Sequence, residues 1–122
     1  MNNNFEKLQQ ATLCLSQDGP IKDRLAAAYD AHLNAVEAES LPETLREDFG
    51  ALCAALHREA PQVRESAVRA SVRKMSTHEA SSYAAMVVRL FAAMARLEAM
   101  QSYAPLRGGR SSPVVQLFAA EG

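Results

Sequence analysis

The chain reads as an all-α protein, a small helical bundle of about five helices with a flexible C-terminal tail, and three observations predict it. Glycine and proline number only five each, tryptophan is absent and aromatic residues make up 6% of the 122 positions, a balance that favours helix over sheet. Apolar residues recur every three or four positions through most of the chain. Prolines and capping residues interrupt that pattern at intervals that a short helix would fill. One domain is expected over residues 1–103, since a chain of this length buries roughly two thirds of its unfolded surface and needs no metal or disulfide staple.

Phe5, Leu8, Thr12 and Leu15 predict a first helix over 4–16 that stops before Asp18-Gly19-Pro20. Pro20 suits the first turn of a second helix, whose stripe of Ile21, Leu25, Ala28, Tyr29, His32, Leu33 and Val36 carries it to about Glu39. In Ser40-Leu41-Pro42-Glu43 a serine stands three residues before a glutamate with proline between, the pattern of a capping box. Leu45, Phe49, Leu52 and Leu56 form the apolar face behind it. Pro61 ends that helix near Arg58 and predicts a fourth from about Gln62 to Met75. Ser76-Thr77-His78-Glu79 repeats the capping-box pattern and opens the last helix.

That last helix is the most unusual part of the chain. Between Glu79 and Gln101, Tyr83, Met86, Val87, Leu90, Phe91, Met94 and Leu97 fill one broad side, while Ala85, Val88, Ala92, Ala95 and Ala99 fill much of the other. A surface helix carries one apolar stripe and a solvated back, so this one is expected either at the centre of a bundle or in a subunit interface. Ala80, Tyr83, Val87, Leu90, Met94 and Leu97 also follow the alternating three-and-four spacing of a coiled-coil seam. Arg89, Arg96 and Glu98 exclude a membrane span, each centrally placed charge costing roughly 2.5 to 3.5 kcal/mol. From the alanine-rich back we expect a homodimer with the last helices at its centre, Tyr83, Val87, Leu90, Met94 and Leu97 being the contact residues.

Charge and cysteine usage narrow the function classes. Residues 1–60 hold five Lys or Arg against ten Asp or Glu, and residues 61–122 hold eight against four, so the near-neutral whole conceals an acidic and a basic half. Such halves attract each other within one fold, or across a dimer, or face an anionic partner, and the first is the expectation here. Cys14 and Cys53 make no disulfide framework, which with the absence of an apolar leader-like run points to the cytoplasm.

No motif for nucleotide cradling, for a hydrolase nucleophile or for a dinucleotide turn occurs, so no catalytic residue and no cofactor is expected. Cys53 and His57 share a helix face and make two potential zinc ligands, short of the four that a structural site needs. The residues three before His32, His57 and His78 are Tyr29, Ala54 and Met75, which excludes the Glu-x-x-His pairs of di-iron bundles. No metal site is expected.

Two readings remain. The first is a non-enzymatic, regulatory protein-interaction module that works as a homodimer or on another protein through its last helix. The apolar patch Val114–Phe118, with Leu117 and Phe118 as anchors, offers a second contact beyond the linker-like stretch from Ala104. The alternative is a nucleic-acid-associated regulator using Arg64, Arg69, Arg73 and Lys74, laid out before a tight turn in the manner of a helix-turn-helix pair. A pI of about 6.3 and the apolar character of the last helix weigh against the alternative.

Overall fold

The computed structural model describes residues 3–107, with side chains through residue 101. Five α-helices form the bundle: α1 (Asn4–Leu15), α2 (Ile21–Ala31), α3 (Glu43–Leu56), α4 (Ala67–Lys74) and α5 (Thr77–Arg107). Two short 3₁₀ turns, Leu33–Ala35 and Ala38–Ser40, join α2 to α3, and no strand occurs among the described residues. At 31 residues α5 is more than twice as long as α3, the next longest at 14. It is flanked by α1 and α3, with α2 behind it and α4 lying against α2 and α3.

The core takes one face from every helix. Leu8, Leu25, Leu52, Leu56 and Val87 are almost fully buried, and Leu33 and Leu41 reach the same cluster from the connection between α2 and α3. Phe5 of α1 stacks on Phe91 of α5 at 5.6 Å between ring centroids, which fixes the flank of α5 that α1 covers. The opposite flank faces α3, where Arg58 pairs with Glu79 at 3.1 Å.

Four boundaries differ from the sequence expectation, each for a local reason. The second helix ends at Ala31 rather than near Glu39. Its carbonyl partners beyond that point are claimed elsewhere: the Asn4 side chain donates to the Glu37 carbonyl and accepts from the Glu37 N–H, both at 2.9 Å, and Lys7 Nζ donates to the Ala35 carbonyl. Leu33 still reaches the core and Val36 packs against it, so the apolar stripe survives the break in backbone. Ser40 does not cap α3. Its hydroxyl donates to the Glu37 carboxylate, and Pro42 occupies the N-cap position.

The fourth helix starts at Ala67 rather than Gln62, because Ser66 is the true N-cap: its hydroxyl accepts from the Arg69 N–H at 3.0 Å. Ahead of it Arg64 takes a left-handed backbone, φ 63°, which no helix accommodates. At α5 the Ser76 hydroxyl accepts from the Glu79 N–H as expected, but the Glu79 carboxylate turns to Arg58 instead of completing the box. The helix also runs past Pro105 to Arg107, taking in the first residues that composition had given to the tail. A proline so near a C-terminus removes only one backbone bond. Leu117 and Phe118 lie outside the described residues.

Candidate functional site

The two sides of α5 have different neighbours. Val87, Leu90 and Met94 are 0%, 3% and 6% exposed, and Tyr83 and Leu97 are half-buried against the same cluster. Of the five residues that the sequence offered as partner contacts, the structure therefore places Val87, Leu90 and Met94 in the chain's own core and packs Tyr83 and Leu97 against its edge. The coiled-coil spacing records packing inside one subunit.

What the bundle leaves uncovered is the alanine side. Ser81, Ala85, Val88, Ala92 and Ala99 are exposed and Ala95 is half-buried, a ladder of small side chains spaced alternately four and three along α5. Arg89 and Arg96 border it on the α3 side, and neither makes an ion pair among the described residues. Met100, 61% exposed, continues the apolar surface past Leu97, the last residue in contact with the core. Small residues at this spacing let a second helix approach closely, as the backbone is screened by little more than methyl groups.

The face of α3 that points away from the core has a related build. Gly50, Ala51 and Ala54 are exposed, and Glu43, Glu47 and Asp48 on the same helix are exposed and outside any ion pair among the described residues. Arg46, the helix's one cation, is turned back onto the carbonyls of Leu41 and Glu39. By spacing alone these carboxylates read as the ordinary solvated face of a helix. The interleaved glycine and alanines were the signal that went unused.

The basic segment is largely self-neutralised. Arg73 makes a two-pronged contact with Glu65, at 2.9 and 3.1 Å, which holds the Glu65 carboxyl below its ordinary range and raises the guanidinium. Arg69 sits 3.9 Å from both Asp23 and Asp30 of α2, and Lys74 lies 3.9 Å from Glu59. Arg64 alone of the four has no ion pair among the described residues, and it stands apart on the loop before α4. Of these pairs, those of Arg69 and Lys74 join cations of the basic second half to acids of the first half, which is the intramolecular attraction expected from the charge asymmetry, whereas Arg58–Glu79 joins the halves with the signs reversed.

Cys53, Tyr29 and His57 come together between α2 and α3. The Tyr29 hydroxyl donates to Cys53 Sγ at 3.4 Å, and the His57 ring meets Tyr29 edge-on while its Nδ1 lies 2.9 Å from the Cys53 carbonyl. Burial pushes the Cys53 thiol up despite that hydrogen bond, and burial with the neighbouring sulfur raises the Tyr29 phenol further. Thiolate, the form that attacks or ligates, is thereby disfavoured. His57 is held back onto its own helix end by the Cys53 carbonyl, and no group of three or more ligating side chains occurs among the described residues.

A shallow, open depression of about 340 Å³ lies between α1, α2 and α4, bordered by Cys14, Asp23, Arg24 and Arg69. Its two cations are engaged, Arg24 with the carbonyls of Gly19 and Leu15 and Arg69 with the two aspartates. No helix among the described residues is long and apolar enough to cross a membrane. No protein-family model, curated protein or solved structure matches the chain.

Proposed function

We propose that this chain acts by association rather than catalysis, as a cytoplasmic homodimer whose interface is the outer side of α5, regulating or bridging other proteins. The observation that carries the reading is the exposed ladder Ser81, Ala85, Val88, Ala92 and Ala99 on a helix that the bundle covers on one side only. A solvated helix back normally carries charged side chains; this one carries methyl groups, with both arginines confined to one border. The length of α5 adds support. It carries the exposed Met100 about a turn beyond Leu97, which extends the apolar surface offered to a partner.

The disfavoured Cys53 thiolate and the engaged cations of α4 speak for a surface that binds, not one that reacts or grips phosphate. The test is the concentration dependence of thermal unfolding. An associating wild-type protein melts higher as its concentration rises, and Ala92→Arg, which plants a bulky charge in the middle of the ladder, removes that dependence while retaining helix content. A wild-type melting temperature that ignores concentration over a hundredfold range would overturn the reading.

A further inference from the structure

We propose that the surface lying on α5's small-residue ladder is the outer face of α3 from a second copy, so that each interface holds two α5–α3 contacts; the inference rests on the association reading above and names what meets what. Charge is the first argument. The ladder on α5 is bordered by Arg89 and Arg96, whereas the small-residue face of α3 carries Glu43 and Glu47, and all four are exposed and outside ion pairs among the described residues. Glu98, seven residues after Phe91, falls on the α1 side of α5 and does not neutralise the arginines. An antiparallel meeting of α5 with itself would set Arg89 of one copy beside Arg96 of the other with no acid between them. Residues 108–122 of the same chain carry Arg110 and Glu121 and bring no excess negative charge.

Register is the second argument, and it is independent of charge. Within the chain α3 packs against α5, and Arg58 just past the end of α3 meets Glu79 in the first turn of α5; an antiparallel course from that point gives the two helices a common height scale. A two-fold axis parallel to these helices and passing between them sets α5 of one copy over α3 of the other and leaves every residue at its own height. At about 1.5 Å per residue in each helix, heights can be counted from the Arg58–Glu79 pair. Fifteen residues back from Arg58 stands Glu43; fifteen on from Glu79 stands Met94, about half a turn from Arg96. Eleven back stands Glu47, and eleven on stands Leu90, next to Arg89. Ala51 and Ala54 likewise fall within about half a turn of Val88 and Ala85. The symmetry therefore brings acid to base and small side chain to small side chain in one register.

The experiment is a charge exchange read by solution mass. One variant carries Arg89→Glu with Arg96→Glu, a second carries Glu43→Lys with Glu47→Lys, and all four positions are exposed, so both subunits keep their helix content. Each variant alone dissociates at least about tenfold more readily than the wild type, since every contact now opposes like charges. An equimolar mixture regains the wild-type dimer, because both of its contacts are again acid to base. If the α3 variant keeps the wild-type mass while the α5 variant loses it, the α5–α3 pairing is wrong and association through α5 survives. If the wild type is itself monomeric throughout, both fall together.

Discussion

Leu90 shows how a single residue changes meaning when the fold is known. It is apolar, central in the last helix and 3% exposed, and everything that covers it belongs to the same chain. Leu90→Asp therefore acts on folding before it can act on assembly. An unpaired carboxylate in that layer costs at least about 3 kcal/mol, and melting should fall by about 10 °C or more. A variant that melts like the wild type would contradict the placement. Cys53 supports a second expectation at this scale. Its thiol is raised by burial, so the folded chain holds a proton that the unfolded chain releases above about pH 8.5. That contribution to stability is complete below the unfolded value and declines as pH climbs through the folded one. Tyr29 adds the same sign at higher pH. Melts at pH 7 and pH 10 should differ less for Cys53→Ala than for the wild type, and equal differences would show that the thiol is not protected.

At the level of elements, α4 is the one that depends most on a single local contact. It has only 8 residues, and its N-terminus rests on the Ser66 hydroxyl. Ser66→Ala should cost about 1 kcal/mol, seen as a lower urea midpoint with an unchanged slope, and a slope that changes would mean more than a cap was lost. The same helix shows where local sequence rules reach their limit. All five helices and most of their buried faces were legible from period and punctuation, because Leu8, Leu25, Leu52 and Val87 obey spacing rules that any helical bundle imposes. Ends were harder, since they are decided by groups distant in sequence: Asn4 draws the backbone of Glu37 out of α2, and Arg58 draws Glu79 out of its capping box. The candidate site was half legible. Period alone marked α5 as apolar on both sides. It could not say which side the chain would cover for itself, and the choice of Val87, Leu90 and Met94 as contacts failed there.

The whole molecule is a front layer of α1, α5 and α3 laid over α2 and α4, held within the chain by one apolar core and by ion pairs that join its acidic and basic halves. The front layer still presents methyl groups on α5 and α3, bordered by Arg89 and Arg96 on the one and Glu43 and Glu47 on the other, all exposed and outside ion pairs among the described residues. A second copy supplies the missing cover in one operation, since two-fold symmetry repeats each contact. Mass in solution tests this most directly. Light scattering on the full chain at micromolar to millimolar concentration should give twice the subunit mass of 13.2 kDa, falling toward 13.2 kDa on dilution. A mass of 13.2 kDa at every concentration would mean that α5's ladder stands bare in water, and the account of this chain as an associating protein would be wrong.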